Sequence, residues 1–410
     1  MNAPRRLLNE LYPLGFFGLL FTNTLFNQWV VYSHAPPGTG AGPRGVGAVM
    51  LLGYVLQGLA NPLLGLAGDR LRATFGSRRP LSLVAAPLML GVFSVLWGET
   101  APVVLVLAYC LLFTTVMQPY LALLPSIAGT PKLRLRMTLT GSFFGLAASG
   151  AALLAGPLLV QRFGFSALAT AGASVFVVTL LVPLLLVREA PVNEADVRGK
   201  GSPADFFEVL RVPAVRRFVL GSLLLTATLM ALVVSGPYVA GAVLHQPQSA
   251  TAVLNGFLVV GMLVSVALLG KLGKRFEPLT LMRAGAKVGV AVLALLGTVT
   301  FLEPSMATWA ACALGFFVLG YLALSVLALP SLVVARLSDE DGRGREGVFF
   351  GLSGVATGFG NAVGAFAASS LLPLARDAGD ATGLQATIAV SAVLAIASVL
   401  VLPRRVGVST

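Results

Sequence analysis

Twelve apolar runs, most of them about twenty residues long, divide this chain of 410 residues at nearly regular intervals. They cover residues 12–33, 46–67, 81–98, 103–127, 138–160, 166–187, 216–243, 251–270, 279–302, 305–335, 346–372 and 382–402. Runs of that size match the ~20 residues an α-helix needs to cross the hydrocarbon core of a bilayer. Amides and carbonyls find no partner in hydrocarbon except one another, so each run is restricted to helix. Composition agrees: 57% of the residues are apolar and 11% charged, against about a quarter charged in a soluble domain. The expectation is an all-α integral membrane protein with twelve transmembrane helices. "MNAPRRLLNE" runs straight into the first span with no cleavage site, so that span is expected to be retained. The tenth run, 305–335, is too long for one straight crossing and must tilt or continue past the bilayer.

The formal net charge is +12, and its placement is informative. Arg5 and Arg6 precede the first span; Arg70, Arg72, Arg78 and Arg79 follow the second. Lys132, Arg134 and Arg136 follow the fourth, and Lys271, Lys274 and Arg275 the eighth. Arg336, Arg343 and Arg345 follow the tenth, and Arg404 and Arg405 the last. The alternate loops hold only Arg44, Arg162 and Arg376. This asymmetry places both termini in the cytoplasm, with a bacterial inner membrane as the expected location. A nucleic-acid partner is excluded, because it needs one contiguous basic face. The only long polar stretch, 188–217, separates an expected bundle at 1–187 from another at 216–410. Within the linker 188–215, Ser202, Pro203 and Asp205 read as a helix start. Phe206, Phe207, Val209 and Leu210 then make a short amphipathic helix suited to the inner membrane surface, although a plain linker fits nearly as well.

The chain also repeats itself. "LLGLAGDR" at 63–70 returns as "LLGKLGKR" at 268–275, and "LPS" at 124–126 returns at 329–331. "RLR" at 134–136 finds "RGR" at 343–345, and "FFGL" at 143–146 returns at 349–352. Near-constant offsets imply two six-span halves in parallel orientation, related by a pseudo-two-fold axis along the membrane normal. Such duplicated halves carry a binding site near the bilayer midplane.

Function-bearing residues are few. All sixteen acidic residues lie at or beyond span edges, so the membrane core holds no carboxylate for proton or sodium coupling. Lys287 is the deepest charge, one turn after Arg283, and snorkelling of its stem accounts for it. Neutral polar residues do occupy the spans. Asn23 and Asn27 are four apart in the first and share a face, with Gln28 beside them. Gln57 and Asn61 repeat that spacing in the second; Gln118 and Tyr120 lie in the fourth, Asn255 in the eighth and Asn361 in the eleventh. An unpaired amide in hydrocarbon costs several kcal/mol, so these residues face protein, water or a ligand. Helix–helix hydrogen bonding is the plainer alternative. Trp29 and Tyr54 offer a stacking face or ordinary aromatic packing, and His34 and His245 lie just past outer helix ends. Cys110 and Cys312 read as buried packing residues, and two Cys with two His offer no metal spacing. No nucleophile–base pair or phosphate loop is present, so neither an enzyme nor a cofactor is expected.

"NPLLGLAGDRLRATFGSRRPLSLVAAP" and "DEDGRGREGVFFGLSGVATGFGNAVG" resemble the loop signatures of the major facilitator superfamily. More narrowly they are similar to its glycoside–pentoside–hexuronide branch of melibiose permease-like proteins. The resemblance implies two pseudo-symmetric six-helix bundles and alternating-access transport of a sugar-like solute. It implies that Asn23, Asn27, Gln28, Gln57, Asn61, Gln118, Tyr120, Asn255 and Asn361 line the substrate cavity. It also implies an inner gate of Asp69, Arg70, Arg78 and Arg79, answered by Arg343, Arg345 and Glu346. Gly65 and Gly68 would then bring spans 2 and 11 together. Where the branch carries two cation-binding carboxylates, this sequence has Gln57 and Asn61; acidic sugar-binding positions match Leu20 and Met117. The expectation is a monomeric transporter of a small neutral or amphipathic solute, without the usual cation site, in contact only with substrate and bilayer. The alternative, a drug/proton antiporter, rests on "AGPLL" at 155–159 in the fifth span, but the fourth span has no Arg. In membrane-impermeant labelling of intact cells, cysteines placed at 134 and 343 should react only after permeabilisation; labelling from outside would overturn the topology.

Overall fold

The computed structural model describes residues 8–34, 36, 43–98, 102–128, 130–187, 189, 203–341, 346–375, 377 and 379–403. Among them there is no strand. The first six helices are α1 (Gly15–His34), α2 (Pro43–Phe75), α3 (Arg79–Val95), α4 (Pro102–Ile127), α5 (Pro131–Phe163) and α6 (Ser166–Leu186). A short α7 (Pro203–Arg211) starts at the proline the sequence marks. Then come α8 (Pro213–Ala242), α9 (Ser249–Leu272), α10 (Pro278–Val299), α11 (Met306–Leu327), α12 (Leu329–Asp341), α13 (Glu346–Leu371) and α14 (Thr382–Val401). Nine segments among the described residues are long and apolar enough to cross a membrane. With α1, α2 and α3 the total is compatible with twelve. The protein is thus an all-α integral membrane protein of the expected class.

The tenth run is two helices, not one tilted one. Pro330 has no N–H and its ring crowds the preceding turn. The first helix therefore ends at Leu327, the Ala328 N–H closes onto the Leu324 carbonyl, and α12 carries the chain on to Asp341. Span 6 handles its proline differently. Ahead of Pro183 the helix widens into a π-turn, Val177–Leu181, where the Val182 N–H reaches back five residues to the Val177 carbonyl. The two copies of the repeated phrase also differ. The first is continuous helix through to Phe75, where Gly76 stops it at φ +71°. The second ends at Leu272, because Pro278 holds Glu277 extended and leaves room only for a tight turn.

The chain forms two compact units, Met1–His34 with Leu59–Lys200, and Ala35–Gly58 with Gly201–Thr410. In the first unit α1 packs on α5 and α6, and α3 on α4. In the second, α8 packs on α13 and α14, and α10 on α11. These are the same span pairings, which is the duplication made visible in three dimensions. Their chemistry differs. In the first unit, glycines of α5 receive side chains from α1: Gly141 faces Phe16, Gly145 faces Leu20 and Gly156 faces the Trp29 indole nitrogen. In the second, backbones meet directly. A Cβ on Gly360 would sit 2.6 Å from the Leu223 carbonyl oxygen, one on Gly364 would strike Ala227, and Gly261 lies against Phe317 and Gly320. The first part of α2 joins this unit through Gly47 against Ser369 and Gly58 against Gly358. The close approach of span 2 to span 11 is therefore made at Gly58; what surrounds Gly65 and Gly68 lies outside the described residues. Helices associate this closely in membranes through small residues. Gly261→Val should cost about 3 kcal/mol or more by overpacking and shift the protein from the monodisperse peak to aggregate in fluorescence size-exclusion; a wild-type profile would contradict it.

Candidate functional site

The polar residues fall into separate groups. In the first unit α2 and α4 bring Asn61, Thr114 and Gln118 together. Asn61 Oδ1 accepts from Thr114 Oγ1 and from Gln118 Nε2, the latter at 3.0 Å. The Asn61 Nδ2 group has no partner among the described residues and stays available as a donor. Helical periodicity is what meets here: Thr114 and Gln118 are one turn apart on α4, so both reach the same oxygen. Gln57, one turn before Asn61, is half-buried and belongs to the second unit. Asn23 and Asn27 are half-buried on α1, while Thr24 between them donates to Ser149 of α5 at 3.1 Å. Gln28 is buried, and its Oε1 has no partner. In the second unit Asn255 is buried on α9 and Asn361 half-buried on α13.

Tyr120 serves the framework. It is fully buried, its ring stacks on Tyr12 at 4.8 Å, and its hydroxyl donates to the Tyr12 carbonyl at 2.5 Å. Gly15 provides the space, since a Cβ there would collide with the Tyr120 hydroxyl. Trp29 is likewise buried, set edge-on to Tyr32 and Phe165 with its indole over Gly156. That contact accounts for the glycine of "AGPLL" without any exporter role. His34 Nδ1 lies 2.9 Å from Ser33 Oγ and 3.0 Å from the Val30 carbonyl oxygen. Cys110 and Cys312 are buried and unbridged, as expected.

The connection between α2 and α3 carries the densest polar network. Arg78 donates to the Ala122 carbonyl of α4 at 2.8 Å. Arg79 straddles the end of α6, donating to the Leu184 carbonyl through Nε and Nη2 at 3.1 and 2.6 Å and to Leu185 at 2.8 Å. Carbonyls at a helix end lack intrahelical donors, and a guanidinium fork near a C-terminus meets both the hydrogen-bonding need and the dipole. Glu189, just past α6, completes the knot. Its Oε1 accepts from Ser77 Oγ at 2.5 Å and from the Arg78 N–H at 2.8 Å, and its Oε2 from Ser126 Oγ at 3.4 Å. Sequence reasoning passed over Glu189; an acid directly after a span, facing a loop of arginines, was the available signal. Of the other gate residues, Arg343 and Arg345 lie outside the described residues, as do the side chains of Asp69, Arg70 and Glu346. The corresponding connection of the second unit reverses the charges, with Glu277 as acid and Arg336 of α12 as cation at 3.0 Å, and Arg336 also bonding Glu340 at 3.2 Å. Among the described residues no cluster of His, Cys, Asp and Glu could hold a metal.

Duplicated helical units with amides buried inside their spans define a multi-pass membrane transporter of the major facilitator type. The chain belongs to the MFS/sugar transport protein family, which it matches over residues 20–403. No curated protein matches it in sequence. Among solved structures it is similar to the nucleoside transporter NupG, with a TM-score of 0.72 at 16% identity over 99% of this chain and 100% of that one. The human organic anion transporter MFSD10 (TETRAN) aligns at TM-score 0.63 and 18% identity, covering 98% of this chain and 100% of that one. A bacterial homologue of the human lysosomal transporter Spinster aligns at TM-score 0.64 and 14% identity, over 98% and 95%. At such identities the likeness is one of fold. Removing the acceptor with Glu189→Ala leaves Ser77 and the Arg78 N–H unpaired and should lower stability by about 1–3 kcal/mol. The readout is thermal unfolding in detergent, and a melting curve equal to the wild type's would contradict the clamp.

Proposed function

We propose that this protein is a facilitative transporter carrying a small neutral, hydroxyl-bearing solute, of the sugar, glycoside or nucleoside kind, by alternating access. The observation that supports the reading is the state of Asn61 Oδ1. An amide oxygen has two lone pairs, and Thr114 and Gln118 donate to both. None is left for a sodium ion, and an amide does not take up a proton near neutral pH. With every carboxylate at a span edge, the membrane core offers no other group of the usual coupling type.

Substrate class follows from the same side chains. Asn23, Asn27, Gln57, Gln118, Asn255 and Asn361 each present a donor and an acceptor, the complement of a hydroxyl, and no fixed charge. The family's description as sugar transport and NupG's as a nucleoside transporter point to similar chemistry, since hexose and ribose both present hydroxyls. In this reading both termini are cytoplasmic. The α2–α3 connection, with Asp69, Arg70, Arg78 and Arg79, forms the inner gate together with Arg343, Arg345 and Glu346. Glu189 and Ser77 hold that connection in shape.

Thermal-shift screening of the purified protein against sugars and nucleosides identifies a ligand; uptake of that ligand into proteoliposomes then tests the mechanism. Entry should stop at equal internal and external concentration under an inward sodium or proton gradient. Asn61→Ala should slow flux about tenfold, the loss of roughly one good hydrogen bond, with no change in the gradient response. Accumulation above the external concentration would overturn facilitated transport, and export driven by an inward proton gradient would establish the antiporter instead.

A further inference from the structure

The two halves spend their loop cations differently. In the first, Arg78 and Arg79 are consumed by helix-end carbonyls. In the second, the turn between α9 and α10 exposes Lys271, Lys274 and Arg275, and no hydrogen bond or ion pair reaches their side chains among the described residues. Backbone bonds from Gly273, Lys274, Arg275 and Phe276 to Leu269, Lys271 and Leu272 hold the turn tight, so the three charges are confined to one corner. The nearest acid in sequence, Glu277, is occupied by Arg336.

Two more cations lie on α10. Arg283 and Lys287 are one turn apart and share a face; Lys287 is exposed, and the Arg283 Nε is buried without a partner. Side chains on a helix lean toward its N-terminus, which for α10 is this same turn. Both stems are thus directed back toward the membrane surface that carries Lys271, Lys274 and Arg275. Phe276, 49% exposed at the turn, adds an apolar anchor beside them. An unneutralised cation inside a span needs an anion that reaches the hydrocarbon boundary, and a soluble anion does not stay there.

We propose that this corner of α9 and α10 binds the phosphate of an anionic phospholipid, with Lys271, Lys274 and Arg275 around the headgroup and Arg283 and Lys287 engaging it from below. Juxtamembrane cations strengthen attachment to anionic lipid about fivefold each, so the five together give a selective site. The occupant is a lipid of the leaflet on that side, and the site stands whether or not the solute reading above holds.

The test is native mass spectrometry of the full-length protein with dioleoylphosphatidylglycerol or dioleoylphosphatidylcholine added to neutral detergent. The wild type should retain phosphatidylglycerol at least about tenfold better. Lys271→Gln/Lys274→Gln/Arg275→Gln should lose that preference while unfolding at the wild-type temperature in phosphatidylcholine nanodiscs. Should that variant fail to fold, Arg283→Gln/Lys287→Gln is measured in its place with the same expectation. Arg216→Gln/Arg217→Gln, two exposed cations elsewhere on the unit, should keep the preference. Equal retention of the two lipids, an undiminished preference in the variant measured, or equal loss in the Arg216/Arg217 control would overturn the site. Displacement of the lipid by millimolar inorganic phosphate would overturn the lipid as its occupant.

Discussion

A carbonyl or amide held in hydrocarbon must find its partner inside the protein, and most of this structure follows from that one requirement. It restricts the apolar runs to helix. It explains what happens where proline removes an N–H: span 6 widens into a π-turn before Pro183, and span 10 breaks at Ala328 before Pro330. It also gives the arginines of the α2–α3 connection their task. Arg79 supplies donors to Leu184 and Leu185, carbonyls the end of α6 leaves open. Glu189 in turn fixes the loop from which Arg78 and Arg79 extend.

The same requirement acts on side chains within the spans. An amide replaces a carboxylate at little electrostatic cost in hydrocarbon, but it needs partners for both its ends. Asn61 meets half of that need through Thr114 and Gln118 and keeps its nitrogen as a donor. A neutral position that still donates hydrogen bonds suits a neutral solute and withholds the acceptor a cation would use. The halves diverge in parallel fashion at their charges. One pairs its loop arginines internally, and the other leaves its loop lysines to the surroundings. Duplication preserved the helix pairings while side-chain chemistry at the equivalent turns separated.

Much of the architecture was legible because length and hydropathy are read directly by the bilayer. All the spans, the start of α7 at Pro203 and the duplication were visible in this way. The π-turn and the end of α11 were less so, since a proline in a long apolar run signals a disturbance without saying which remedy the helix takes. The fate of the repeated phrase was hidden because its outcome depends on a proline five residues beyond the first copy's stop at Phe75 and three beyond the end of the second copy. Among polar residues, the Gln57–Asn61 spacing suggested one pair, whereas Asn61 bonds across to α4, a contact no single-helix pattern encodes. Tyr120 looked like a cavity residue from its span alone; its hydrogen bond to Tyr12 is set by the fold of the chain before α1. Glu189 was overlooked because its three partners come from two other parts of the sequence.

The central claim is that transport here moves no charge, since an amide cluster occupies the place where coupled relatives are expected to hold carboxylates. Solid-supported-membrane electrophysiology tests this most directly, by following the current when a ligand found by thermal shift is jumped onto proteoliposomes containing the protein. A neutral solute carried alone should give no transient above that of protein-free liposomes, at any sodium concentration and from about pH 6 to 8. A substrate-dependent current that grows with sodium or with acidification would contradict the account.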